Sequence, residues 1–427
     1  MNNLLTRRAA LTRMGRPLWL GGRQAPLPQY RPRLAFRQDA SAMGDLLVCI
    51  FLRGGTDGLS VVAPYSEGAN YYGVRPTIAV PEPGSGTFAA IDLDGQFGLH
   101  PGLAPLKPFY DAGSLAVVHA CGLTEANRSH FDAQRYLEQG VPGDKTIGTG
   151  WIGRHLASKN TGSASVFRGI ALSDHVQASL RGDVPALALA SLDEIGFRGP
   201  RTNKGEEDLA LLALQELYLG GSAAGPLQEQ AQLLFETVET LQQLANEGYQ
   251  PGGGAVYPDD GFGFGMRQIA QLIKADLGLE AACIDLGGWD THETQGVRDG
   301  QFAALVFSLG QGLTAFGTDL GDRMQNITVV TMSEFGRTTK ENASHGTDHG
   351  HGNVMFLMGG GVSGGQVFSR WPGLAPGNLD EEGDLVVTID YRDVFAEIVR
   401  LRLLNPALDQ VLPNYTPSPL GAFRPRS

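Results

Sequence analysis

Repeatedly along this chain, a short uninterrupted apolar run breaks off into a loop of glycines and charged or hydroxyl residues. Residues 46–52 end in Arg53-Gly54-Gly55-Thr56-Asp57-Gly58, and residues 281–286 end in Gly287-Gly288-Trp289-Asp290-Thr291-His292. Residues 326–332 end in Ser333-Glu334-Phe335-Gly336-Arg337, and residues 114–120 precede Arg128-Ser129-His130. Apolar runs of this length bounded by turn residues read as strands buried on both faces. The segments between them carry helical spacing, most clearly Phe302, Leu305, Val306, Leu309, Leu313, Phe316 and Leu320, which fall on one helix face. Residues 129–139 read as a helix with Ser129 at its N-cap and Asp132 three positions on. Further helices are expected over 102–110, 263–277 and 391–403, and further strands over 354–358 and 384–389. Strands alternating with amphipathic helices predict an α/β fold with a mostly parallel central sheet and helices on both faces.

Residues 44–427 read as a single domain. Its stretch from about 140 to 260 is mixed, with strand candidates at 166–172 and 185–190 and helices at 206–218 and 227–245, and reads as a peripheral insertion. Glycine makes up 59 of 427 residues, about twice average usage, so tightly shaped loops are abundant. Cys49, Cys121 and Cys283 lie in separate apolar segments with no paired spacing, which favours packing over a disulfide framework or a thiolate metal site. The longest apolar run falls far short of the roughly 20 residues that span a bilayer, so no transmembrane segment is expected.

Residues 1–43 differ from the rest. They hold eight arginines and one acid, Asp39, and so carry +7, which leaves −19 on the remainder of a chain whose total charge is −12. Thr6-Arg7-Arg8-Ala9-Ala10-Leu11 resembles a twin-arginine export signal, and Ala40-Ser41-Ala42 suits a signal peptidase. Arg13 and Arg16 interrupt the expected apolar stretch, which leaves a basic arm on an unexported, cytoplasmic protein as the alternative. Export places the protein in the periplasm or outside the cell. The acidic body excludes general nucleic-acid binding.

In open parallel sheets, ligands bind beyond the carboxyl ends of the strands. The polar residues at those ends are therefore the candidates for chemistry: Asp57, Arg128-Ser129-His130, Asp290 with His292, and Glu334 with Arg337. A fifth cluster follows at His345, Asp348, His349 and His351. Asp290 and His292 are spaced i, i+2, as are His349 and His351, which puts each pair on one face of an extended segment. Mixed imidazole and carboxylate donors suit zinc, manganese or iron. Ser129 caps a helix and equally presents a hydroxyl where free N–H groups favour an anion. Arg53, Arg128 and Arg337 read either as holders of anionic oxygens or as ordinary ion-pair partners. Trp151, Trp289 and Trp371 suggest either sugar stacking or packing.

Several motifs together resemble the bacterial domain-of-unknown-function 1501 family over about residues 45–405. They are Phe51-Leu-Arg-Gly-Gly-Thr-Asp57, Phe97-Gly-Leu-His100-Pro, Arg128-Ser-His-Phe-Asp-Ala-Gln134, Gly150-Trp-Ile-Gly-Arg154, Gly288-Trp-Asp-Thr-His292, Ser333-Glu-Phe-Gly-Arg-Thr338, Asp348-His-Gly-His-Gly352 and Asp390-Tyr-Arg-Asp393. The resemblance implies an alkaline phosphatase-like fold of the phosphatase and sulfatase superfamily, with metal held at the ends of parallel strands and a twin-arginine signal. By that likeness Asp57 is the first-strand metal aspartate and Ser129 lies near the nucleophile, with His130 and Arg128 beside it. Asp290, His292 and a histidine of the 349–351 pair form one metal site. Glu334 stands where the superfamily has an aspartate followed by histidine; here Phe335 follows, which leaves a second site one imidazole short and favours one divalent metal, or a weak second one supported by His130, over a full binuclear centre.

The expected metal ligands are thus Asp57, Asp290, His292, Glu334, His349 and His351, and the expected substrate-binding residues are Arg53 and Arg337. Cys121-Gly-Leu-Thr lacks the Cys-x-Pro-x-Arg signal of formylglycine sulfatases. The function implied is an exported metal-dependent hydrolase of phosphate or sulfate esters, small-molecule or glycan, with Ser129 or a metal-bound water attacking. A non-catalytic metal-containing envelope protein and a transferase of phospho-groups to a glycan are the alternatives. The sequence sets no oligomeric state.

Overall fold

Strand β1 (Leu46–Arg53) alternates its side chains between two separate apolar cores. Leu46, Val48, Ile50 and Leu52 enter one, and Leu47, Cys49 and Phe51 the other. A strand can do this only where both faces of its sheet are covered, because successive side chains point to opposite sides. The structure, a computed structural model, describes residues 44–159, 165–192, 215–218 and 226–426. The arginine-rich leader, its signal and cleavage motifs, and most of the helix expected over 206–218 lie outside the described residues.

The other strands in the sheet of β1 are β2 (Leu115–Gly122), β3 (Gly169–Leu172), β4 (Ala186–Ala188), β5 (Ala281–Gly287), β6 (Ile327–Met332), β7 (Asn353–Gly359), β8 (Val367–Phe368) and β9 (Ile389–Asp390). Among the described residues they form one nine-stranded sheet in the order β8-β2-β7-β6-β1-β5-β3-β4, with β9 beside β2. All pairings are parallel except those of β7, which runs antiparallel to both β2 and β6. This is the mostly parallel α/β architecture expected from the alternating runs.

Six helices cover the two faces: α1 (His130–Gln139), α2 (Trp151–Ser158), α3 (Pro226–Asn246), α4 (Gly261–Lys274), α5 (Gln301–Leu320) and α6 (Tyr391–Glu397). On one face α4 packs Met266, Ile269 and Ile273, and α5 packs Phe302, Val306, Leu309, Leu313, Phe316 and Leu320. On the other, α1 contributes Ala133 and Leu137, α2 Trp151, Ile152 and Leu156, and α6 Val394 and Phe395. Full burial of each leucine, isoleucine, valine, methionine or phenylalanine among them contributes about 1.5–3 kcal/mol. The 140–260 stretch supplies α2, β3 and β4 at the sheet's edge as well as α3.

Three details differ from the sequence expectations. Residues 384–388 are not a strand; Asp384 is a buried loop carboxylate that binds Arg128, and only Ile389–Asp390 pairs. Trp151 and Trp289 are fully buried and Trp371 donates to Glu67, so all three are used in packing. The helix over 391–403 divides into α6 and a π-turn at Ile398–Arg402. The three cysteines are buried and free, as expected of small apolar residues. Among the described residues no helix is long and apolar enough to cross a membrane.

Candidate metal centre

The register of the central strands decides where the loops meet. Arg53 lies beside Gly287 and Phe51 beside Met332, so β1, β5 and β6 release their loops at one edge of the sheet. The loops then touch. Gly54 adopts φ +123°, and a Cβ there would fall 2.5 Å from the Asp290 backbone nitrogen, so only glycine permits this approach. The loop after β6 pairs with the segment before β7: Arg337 and His349 form an antiparallel bridge, and the N–H of Thr338 donates to the Asp348 carbonyl. Helix α1 begins above them with His130, whose ring packs on Phe335 and His349 at centroid distances of 4.9 and 4.4 Å.

Four side chains converge here. His292 Nε2 and His349 Nε2 lie 3.0 Å apart and 3.0 and 3.1 Å from Asp290 Oδ1. His130 Nε2 lies 3.4 Å from Asp290 Oδ2, and His130, Asp290 and His349 each offer a ligand atom within a 4.8 Å span. Each imidazole has its other nitrogen turned away toward an acceptor. His130 Nδ1 faces Glu334 at 2.9 Å, His292 Nδ1 faces Asp348 at 2.7 Å, and His349 Nδ1 faces the Arg128 carbonyl at 2.9 Å. Those acceptors place the ring protons on Nδ1, which leaves three Nε2 lone pairs aimed at one another and at a carboxylate.

Such a set repels itself unless a ring takes up a second proton or a cation stands among the donors. The donors fit a cation. Ligands bonded at 2.0–2.1 Å around a tetrahedral zinc stand about 3.3 Å apart, close to the separations found here. The Asp290 and His292 side chains are 45% and 40% exposed, so the centre is open to a small molecule from outside.

The ionisation states of Asp290, Glu334 and His349 suit this role, while His130 leans toward its protonated form until a cation displaces the proton. Burial alone would raise the Asp290 carboxyl, but Arg337 and then His349 and His292 hold it down at about 2. Glu334 is also held low, its burial outweighed by hydrogen bonds from His130, Gln134 and the Gly54 N–H. His349 is lowered by burial, which favours the neutral ligand form, while the hydrogen bond to Glu334 raises His130.

The structure therefore brings together Asp290, His292 and His349 of the expected ligands with His130, expected beside the nucleophile and as support for a weak second metal. It does not bring the others in. Asp57 is fully buried and its Oδ2 accepts from Arg75 at 2.6 Å, Ser60 at 2.6 Å and Gln295 at 2.7 Å; its partner is an arginine, where a metal was expected. His351 Nε2 faces the Leu123 carbonyl and its Nδ1 lies 3.3 Å from Asp380. Glu334 Oε1 is occupied by three donors, so the residue orients His130 from behind.

The arginines are likewise committed. Arg337 is buried and gives its donors to the carbonyls of Gly54, Gly55, Trp289 and Thr347 and to Asp290. Arg53 binds Asp285, Glu138 and Gln134, and neither arginine is left free for a substrate as had been expected. Arg128 binds Asp384 and the His349 carbonyl. Ser129 stands exposed before α1 with no side-chain capping bond. Sequence reasoning missed Arg75 and Gln295, whose types and positions carry no local signal of an ion pair or a buried amide.

The model of a family described as "Protein of unknown function (DUF1501)" matches residues 110–405. No curated protein matches this chain. Among solved structures, the chain is similar to the PsFucS1 sulfatase from Pseudoalteromonas sp., at 11% identity over 86% of this chain and 68% of that one, with a TM-score of 0.36. It is similar to the zinc complex of the C-terminal periplasmic domain of EcEptC from Escherichia coli at 8% identity, over 75% and 74% of the two chains, with a TM-score of 0.35. It is also similar to the alkaline phosphatase from the Antarctic bacterium TAB5, at 13% identity over 74% and 92%, with a TM-score of 0.29. With the family model covering more than half of its length, the chain belongs to the DUF1501 family of proteins of unknown function.

Proposed function

We propose that this protein is a metal-dependent hydrolase of phosphate or sulfate esters, with one divalent ion held by His130, Asp290, His292 and His349. The observation that carries the reading is the convergence of three imidazole Nε2 atoms on one carboxylate, each ring's Nδ1 turned away to an acceptor. A bound divalent ion supplies Lewis-acid stabilisation of the negative charge that develops as an ester is displaced. Arg337 fixes the Asp290 carboxylate, and Glu334, Asp348 and the Arg128 carbonyl fix the three rings. At the start of α1 the N–H groups of His130, Phe131 and Asp132 precede the first intrahelical bond, which Ala133 makes to Ser129. They suit the anionic oxygens of a substrate, and the adjacent Ser129 hydroxyl, or a water in its place, is the attacking group.

The test is turnover of a panel of aryl, alkyl and sugar phosphates and sulfates by metal-replete protein. Ser129→Ala is expected to lower kcat by more than about 10³-fold if the hydroxyl attacks, while Asp290→Ala abolishes turnover whichever group attacks. A phospho-group transfer to a glycan uses the same residues and differs only in the acceptor, so glycans belong in the panel. The commitment of Arg53, Arg128 and Arg337 to partners within the protein favours a second reading, a metal-containing envelope protein without turnover. Metal-replete protein inert toward the whole panel would establish that reading in place of the first. Export belongs to the proposal too: residues 1–43 fused to a reporter are expected to carry it across the membrane only while Arg7 and Arg8 are intact.

A further inference from the structure

Behind the four candidate ligands lies a buried polar network in which Gln295, three residues beyond His292, is fully enclosed. Its Nε2 donates to Asp57 Oδ2 at 2.7 Å. Its Oε1 accepts from Thr291 Oγ1 at 3.1 Å and from Thr347 Oγ1 at 2.7 Å. An ionised carboxylate can only accept, so the amide nitrogen must face Asp57 and the oxygen is left for the two hydroxyls. Thr291 stands between Asp290 and His292, and Thr347 two residues before His349. The two threonines are also joined directly, the Thr347 N–H donating to the Thr291 carbonyl at 3.1 Å. Asp57 is itself anchored by Arg75, whose remaining donors hold the carbonyls of Thr338 and Thr339. A single amide thus ties the end of β1 to both loops that carry ligands.

We infer that Gln295 is a positioning residue for the metal centre: it sets the separation of the Asp290–His292 and His349 loops and links them to Asp57. The inference rests on the metal reading proposed above. Its physical basis is that every group facing Gln295 is buried and polar, so an apolar replacement leaves a carboxylate and two hydroxyls short of a partner. Ligand distances tolerate only about 0.2 Å of error, so relaxation of either loop is felt directly as lost affinity.

The test measures zinc affinity by chelator competition and the visible spectrum of the cobalt-substituted protein, alongside the Tm of the metal-free form. Gln295→Met keeps the length and removes the amide; Thr347→Val removes one of its partners, and Thr347→Ser keeps that hydroxyl. Gln295→Met is expected to weaken zinc binding about 10- to 100-fold and to shift the cobalt bands. Thr347→Val is expected to do so to a smaller extent and Thr347→Ser to restore both. Gln295→Met with wild-type affinity and cobalt bands overturns the inference, even if its Tm falls, because a residue that merely supports the fold behaves that way. Should Gln295→Met fail to fold, the threonine pair decides: equal affinity in Thr347→Val and Thr347→Ser overturns it. Wild-type protein that binds no zinc or cobalt overturns the underlying metal reading as well, an outcome recognisable because all variants then read alike.

Discussion

Asp57 and Asp290 both follow an apolar strand and a pair of glycines and both bind an arginine, yet only Asp290 also faces three histidines. A strand-end carboxylate reads the same in sequence in either case. What separates them is Arg75, 18 residues away along the chain, which fills the space beside Asp57 with a buried cation. Removing one partner of a buried ion pair leaves the other uncompensated, so Arg75→Ala is expected to cost about 3–5 kcal/mol of stability, read from denaturant unfolding. The Asp290-x-His292 pair and His349 were legible because i, i+2 spacing at a strand end leaves few alternatives. His351 shares that spacing with His349 but turns to the Leu123 carbonyl. Glu334→Gln, which keeps the volume but weakens the hold on the His130 Nδ1 proton, is expected to lower metal affinity about 10- to 100-fold. Chelator competition measures this.

At the scale of elements, parallel strands in register carry their loops to one edge, and the loops are then held by close backbone contacts. A Cβ on Gly350 would lie 2.3 Å from the Arg337 carbonyl carbon, across the antiparallel contact that places His349. Gly350→Ala is therefore expected to separate the two loops and lower bound metal in mass spectrometry while α4 and α5, far along the chain, keep far-UV helicity unchanged. The strands were readable from their apolar runs because burial on both faces removes polar alternation. Strand direction was not: nothing in residues 354–358 distinguishes antiparallel β7 from its parallel neighbours, because direction depends on whether the preceding connection crosses the sheet, and residues 333–352 form no crossover helix. Residues 384–388 look like a strand by composition, but Asp384 is drawn to Arg128 and only isolated backbone bonds, from Gly352 to the Leu385 carbonyl and from Thr388 to the Ala120 carbonyl, precede the pairing of Ile389.

Across the whole molecule, three histidines are buried as neutral groups. Burial pushes His100 and His119 down to about 4 and His155 to about 3. Their unfolded-state value is near 6.5, so between pH 6.5 and 4 the unfolded chain binds protons that the folded chain does not. Stability is therefore complete above about pH 6.5 and falls as the pH drops, by about 1.4 kcal/mol per pH unit for each histidine. Tm is expected to decline from pH 7 to 5, and His119→Phe to flatten that decline; a Tm independent of pH over this range would contradict the assignment of these rings as neutral.

The central claim is that one divalent ion belongs among His130 at the start of α1, Asp290 and His292 after β5, and His349 in the connection between β6 and β7. Its most direct test is metal content by mass spectrometry on protein purified without added metal or chelator. Near one equivalent of zinc, manganese or iron per chain is expected, lost in Asp290→Ala and in His349→Ala and retained in His351→Ala. Absence of metal after incubation with each of the three ions, or a full equivalent retained by Asp290→Ala, would contradict it.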